Sequence, residues 1–156
     1  MVEIGSTAPA FTLVNSARTA TSLGDFAGKK VVLVFYPGAF TGVCTKEMCT
    51  FQDSMTALNG LDAAVLGISV DGPFANAEFA AKNKLAFPLL SDFTHTVVNA
   101  YGVALANFAG VEGYTTAQRS VFVIDKGGVV RFKWVAENPG IEPDYDAVIK
   151  AVEAIS

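Results

Sequence analysis

Val31-Val32-Leu33-Val34-Phe35-Tyr36, followed by Pro37-Gly38-Ala39-Phe40-Thr41-Gly42-Val43-Cys44, is the stretch on which the reading of the fold turns. Its first six residues form an unbroken apolar run rich in β-branched and aromatic side chains, which suits a strand covered on both faces. The run reads as the central strand of a parallel sheet. Ala63 to Ile68 and Val121 to Ile124 have the same character. Longer segments with helical spacing separate these strands, giving the alternation of an α/β fold.

Working outward, Cys44, Met48, Phe51, Met55 and Leu58 recur at steps of four and three. This is the apolar stripe of one helix running from Thr41 to about Asn59-Gly60. Asp71-Gly72-Pro73 opens a second helix reaching about Lys84. Phe87 to Leu90 reads as a short strand, and Thr94 to Tyr101 as a short helix ended by Gly102. Ser120 to Asp125, a Lys126-Gly127-Gly128 turn and Val129 to Val135 form a hairpin whose second strand alternates Val130, Phe132 and Trp134 with Arg131 and Lys133, leaving one wet face. Tyr145 to Ile155 closes as an amphipathic helix, and Phe11 to Val14 with Ala20 to Leu23 suggests a small N-terminal hairpin. Residues 1–156 are the length of one ordinary domain.

Composition narrows the function. Hydrophobic residues make up 51% and charged residues 17%, with a net charge of -4 from 11 Lys and Arg against 15 Asp and Glu. That balance excludes a disordered chain and a cationic nucleic-acid binder. The longest apolar run is far short of a membrane span. The N-terminal residues show no secretory signal, so a cytoplasmic, reducing setting is expected. There, Cys44 and Cys49 read first as chemistry or as buried thiols.

In open α/β sheets, ligands bind at the carboxyl ends of the strands, where Pro37 to Cys44 lies. With Thr41 as N-cap, Cys44 falls in the first turn of the helix. There the unpaired amides and the positive end of the helix dipole favour a thiolate. Pro37, Thr41 and Cys44 match the Pro-x-x-x-Thr-x-x-Cys motif of the peroxiredoxins, which the flanking Val34 to Thr41 also resembles. Gly5 to Leu13, Gly67 to Asp71 and Arg119 to Asp125 are similar to other segments of that family.

The resemblance implies a thioredoxin-like fold with a central mixed sheet flanked by helices. It further implies a cofactor-free peroxidase for hydrogen peroxide and organic hydroperoxides, with Cys44 as the peroxidatic cysteine. Thr41 and Arg119 would orient and polarise the peroxide, Pro37 would shield the site, and Glu47 would support it through hydrogen bonds. Chemistry agrees: attack on an O–O bond needs a thiolate and donors aimed at both peroxide oxygens, and the cation of Arg119 can serve both needs.

Cys49, five residues after Cys44, resembles the resolving cysteine of the Q type, also called bacterioferritin comigratory protein. By that likeness it would form an intramolecular disulfide, reduced in turn by thioredoxin or a similar dithiol protein. Leu89 to Phe93 and Ala100 to Val103 are similar to the one-cysteine alkyl hydroperoxide reductase E group, in which an external thiol resolves. Five residues along a helix separate the Cα atoms by about 8.6 Å. A disulfide needs less than about 7 Å, so a Cys44–Cys49 bridge requires the helix to unwind.

Other readings stand beside these. Cys44 can complete the apolar stripe, Thr41 can be only a cap, Arg119 and Glu47 can be surface charges, and Cys49 can be a spectator thiol. A peroxide sensor or holdase is a further alternative. A thiol–disulfide oxidoreductase is disfavoured because it calls for Cys-x-x-Cys. His95, the one histidine, has no Cys/His cluster around it and is given neither a metal nor a role. Trp134 reads as hairpin packing, and the phenylalanines around Phe40, Phe74 and Phe108 as core and pocket wall rather than a cofactor box, while an exposed cluster there would suit a dimer face. No phosphate loop follows a strand, so no nucleotide or flavin is expected. Neither nucleic acid nor membrane is expected as a partner, and the chain reads as a monomer or homodimer.

Overall fold

A computed structural model describes residues 2–155, the side chain of Met55 excepted. Strands β1 (Thr12–Asn15), β2 (Ala20–Ser22), β3 (Lys30–Phe35), β4 (Ala63–Ser69), β5 (Leu89–Ser91), β6 (Ala104–Leu105), β7 (Thr116–Ala117), β8 (Ser120–Ile124) and β9 (Val130–Val135) are interleaved with helices. The helices are α1 (Gly42–Asp53), α2 (Met55–Gly60), α3 (Pro73–Lys82), α4 (Thr96–Ala100) and α5 (Tyr145–Glu153). The main sheet has the order β2-β1-β5-β4-β3-β8-β9, and β6 pairs with β7 apart from it.

Every residue of β3 is buried, as its continuous apolar run requires. Its side chains alternate between two cores. Val31, Leu33 and Phe35 join Leu66, Ile68, Phe122 and Ile124 under α4. Val32, Val34 and Tyr36 join Val65, Val121 and Val123 under α1, α3 and α5. The one charge on the strand, Lys30, donates from Nζ to the carbonyl of Val152 at 3.0 Å, in the last turn of α5 where a cation is favoured.

The setting of β3 corrects the expectation of a parallel sheet around it. It runs parallel to β4 but antiparallel to β8, because β8 and β9 form a hairpin on that side. The face of β9 expected to be wet is only partly so. Arg131 is exposed, whereas Lys133 is half-buried and donates to the carbonyl of Val2 at 2.8 Å. Phe40 and Phe74, read as core and pocket wall, are 50% and 70% exposed.

The long helix expected over residues 41–60 is two helices. At Ser54 the hydroxyl and the amide both bond the Thr50 carbonyl, each at 3.1 Å, and the amide also reaches that of Phe51. Such competition by a serine side chain bends helices. The break divides α1 from α2 while Met48, Phe51 and Leu58 all remain in the core. The place expected for Met55 on that stripe lies outside the described side chains.

Gly67, on β4 opposite Val34, packs so closely that any side chain there would displace a neighbour. A Cβ there would lie 2.6 Å from Leu89 Cδ2. This glycine brings β5 and the Tyr36 ring close to the carboxyl end of β3, where the chain turns into α1.

Candidate active site

Four segments meet at the end of β3: the turn 37–41, the first two turns of α1, Arg119 just before β8, and the loop 138–142. Thr41 is the residue before α1, in extended conformation, so Cys44 does occupy the first turn. Its hydroxyl, however, does not cap the helix. It donates to the carbonyl of Gly38 at 2.8 Å, which corrects its expected capping role and leaves its lone pairs open to a donor. Pro37 is buried where the chain leaves β3.

Cys44 is buried, and Arg119 Nη2 lies 3.1 Å from its Sγ. Arg119 is no surface charge, with a relative exposure of 2%. Its Nη1 meets Glu47 Oε1 at 2.7 Å, while Nε and Nη2 donate to the carbonyl of Pro139 at 3.0 and 2.9 Å. The fork geometry of a guanidinium allows these contacts to be made together, which an ammonium would not. The cation therefore stands over the sulfur in a site shielded from water.

Glu47 is fully buried rather than solvated. Burial pushes its carboxyl up to about 7 against the pull of the adjacent Arg119. Burial likewise raises the Tyr36 phenol, so Tyr36 is a neutral donor to Asn76 Oδ1 at 2.7 Å. Cys49, on the flank of α1, is half-buried with its thiol 3.8 Å from Asn83 Oδ1. The two cysteines are not bridged, and an intact α1 holds their Cα atoms about 8.6 Å apart.

Of the residues singled out from the sequence, Cys44, Arg119 and Glu47 form one cluster, with Thr41 and Pro37 on the adjoining turn. Cys49 lies outside it. His95 stands apart, its Nε2 3.0 Å from the Thr115 carbonyl. Sequence reasoning missed the Pro139 carbonyl, since a backbone group carries no residue signal. It also missed Asp71, which accepts the Ala39 amide at 2.8 Å and whose only clue was its place just beyond the carboxyl end of a neighbouring strand.

The chain resembles known proteins over most of its length. The sequence model of the AhpC/TSA family matches residues 4–133. A Haemophilus influenzae protein named peroxiredoxin bcp is 42% identical over 130 residues, covering 83% of each chain. Alkyl hydroperoxide reductase E of Mycobacterium tuberculosis is 40% identical over 159 aligned positions, covering 100% of this chain and 99% of the relative. The crystal structure of peroxidoxin BcpB from Mycobacterium tuberculosis superposes with a TM-score of 0.89 at 31% identity, covering 100% of this chain and 99% of that one. A mixed sheet flanked by helices with these neighbours is the thioredoxin-like fold of the peroxiredoxins, and the chain belongs to the AhpC/TSA family as a thiol-dependent peroxidase that reduces peroxides at the expense of a thiol reductant.

Proposed function

We propose that Cys44 is the residue that attacks the peroxide and that Arg119, Thr41, Pro37 and Glu47 serve that step. The observation that carries this reading is the 3.1 Å contact between Arg119 Nη2 and Cys44 Sγ. The Cys44 thiolate attacks the terminal peroxide oxygen, the O–O bond breaks, and the departing hydroxide or alkoxide takes a proton from water, leaving a Cys44 sulfenic acid. Arg119 stabilises the charge that moves from sulfur to the leaving oxygen. Thr41, its own proton committed to Gly38, accepts from the peroxide hydrogen. Pro37 walls the turn against water, and Glu47 holds the Arg119 fork.

Cys49 then attacks the sulfenic sulfur, releasing water and forming a disulfide, which thioredoxin or a similar dithiol protein reduces. The likeness to a peroxiredoxin bcp supports this resolution. A second reading, favoured by the thiol of Cys49 resting on Asn83 within an intact helix, has an external thiol resolve Cys44. We place the chain in the cytoplasm, where unbridged cysteines persist, as a monomer or homodimer.

Peroxide consumption with a thioredoxin system tests the whole. Cys44→Ser abolishes turnover. Cys49→Ser keeps one stoichiometric oxidation but loses thioredoxin-driven turnover. Retained turnover in Cys49→Ser selects the external-thiol reading, and stoichiometric oxidation alone in wild type selects the sensor.

A further inference from the structure

The sequence Asp71-Gly72-Pro73 has the form of a helix start, yet the carboxylate does not serve the helix. Gly72 is the N-cap of α3 and no side chain caps that end. Instead, Asp71 Oδ2 accepts the Ala39 amide at 2.8 Å, across the sheet in the turn that follows β3. The same oxygen accepts the Ser69 hydroxyl at 2.9 Å, and Ser69 Oγ accepts the Asp71 amide at 3.2 Å. The carboxylate is thus aimed by its own strand end before it reaches the turn.

The turn needs such an anchor. Phe40, next to Ala39, has φ 66°, a left-handed conformation that is costly for a bulky side chain and persists only where neighbours enforce it. Its ring is half exposed and meets only the edge of Phe79 at a centroid distance of 5.3 Å among the aromatic rings described. Residue 39 is held by Asp71 on one side of the strained position, and Thr41 is held by α1 on the other, where its carbonyl accepts the Thr45 amide at 2.9 Å.

We propose that Asp71 is a positioning residue for peroxide reduction: by clamping the Ala39 amide it fixes the strained turn that presents Thr41 to the peroxide. This rests on the assignment of Cys44 and Thr41 above. The Arg119–Cys44 contact does not pass through the turn, so the clamp governs peroxide alignment and not the reactivity of the sulfur itself.

Two rates separate these effects: Cys44 oxidation by tert-butyl hydroperoxide in single turnover, and Cys44 alkylation by iodoacetamide, which needs a thiolate but no aligned peroxide. Asp71→Ala slows oxidation by about tenfold to a hundredfold, the scale of a small misplacement of reacting groups. Its alkylation rate stays within about twofold of wild type, since the thiolate and its Arg119 contact are unchanged. Asp71→Asn, whose amide oxygen can accept both bonds, stays within about threefold of wild type in oxidation. Ser69→Ala, which removes only the aiming hydroxyl, falls between the two and serves if Asp71→Ala does not fold. Wild-type oxidation in Asp71→Ala or Ser69→Ala overturns the clamp, as does an equal fall in both rates. So does Asp71→Asn slowed as much as Asp71→Ala, because charge would then carry the effect. Failure of the underlying assignment shows separately, as peroxide consumption surviving in Cys44→Ser.

Discussion

Glu47 meets Arg119 at 2.7 Å with both side chains out of water, and its second oxygen, Oε2, has no hydrogen-bond partner among the described residues. Half of the carboxylate is therefore satisfied and half is desolvated without compensation, which is why burial lifts its pKa to about 7 beside a cation. Between the ordinary value of 4.5 and 7, the folded chain binds more protons than the unfolded one. Stability carried by this group is present below about pH 4.5 and is lost as pH rises through 7. Urea unfolding in a Cys44→Ser background, which removes the neighbouring thiol, measures it. Relative to Glu47→Gln, the Glu47 protein loses on the order of 3 kcal/mol across that window. A constant difference between the two proteins from pH 4.5 to 8 refutes it.

Arg119 separates stability from catalysis. Arg119→Met leaves Glu47 buried without its cation, so that its carboxyl takes up a proton, and costs about 3–5 kcal/mol, as breaking a buried pair does. It also slows peroxide attack by about a hundredfold to a thousandfold through the loss of a preorganised donor. Adding Glu47→Leu restores part of the stability and none of the rate, since it removes the buried acid but leaves the Pro139 carbonyl without its donor. Thermal unfolding and single-turnover oxidation of the single and double variants check this, and recovery of the rate in the double variant refutes it.

Much of this was legible in the sequence because it is local. The apolar run of β3, the first-turn place of Cys44 and the β8–β9 hairpin each follow from a few adjacent residues. The break at Ser54 was not legible, since one hydroxyl competing with the backbone leaves the apolar period almost unchanged. The burial of Glu47 hid behind its charge, which marks a solvated helix face until Arg119 arrives from 72 positions away. The antiparallel partner of β3 depends on chain topology, which periodicity does not encode. Asp71 was read as a helix opener at the end of a family-like strand and given no part in the site, because its acceptor role is defined by the amide of Ala39, 32 positions distant.

Gly67 sets the spacing of the sheet beneath the site. Gly67→Ala places a Cβ 2.6 Å from Leu89 Cδ2 and destabilises by about 1–3 kcal/mol through overpacking. Shortening the clashing side chain in Gly67→Ala/Leu89→Val recovers part of that loss, although Leu89→Val alone destabilises. Denaturant midpoints of the four proteins close the cycle, and additive losses mean that the two residues do not share this space.

The last prediction concerns how Cys49 comes free under the proposed intramolecular resolution. Two contacts fasten the flank of α1 to the segment that follows α3: the Cys49 thiol rests 3.8 Å from Asn83 Oδ1, and Gln52 Oε1 accepts the Ala86 amide at 2.7 Å. With the Cα atoms of Cys44 and Cys49 about 8.6 Å apart, the helix must open before a bond can form. The Gln52 bond resists that opening. Gln52→Ala removes it and, for a bond worth about 1 kcal/mol, raises the rate of disulfide formation after one equivalent of peroxide by about fivefold. Its attack on peroxide is unchanged, because among the described residues the Gln52 side chain hydrogen-bonds the Ala86 amide and not the cluster around Cys44. Faster resolution also shortens the life of the sulfenic acid, so the variant withstands excess peroxide better than wild type. Hydrogen exchange supplies the structural check: amides of residues 45–51 are protected in the reduced protein and lose protection in the disulfide form, while β3 stays closed in both. Equal protection of α1 in the two forms, or an unchanged disulfide rate in Gln52→Ala, removes helix opening from the rate of resolution.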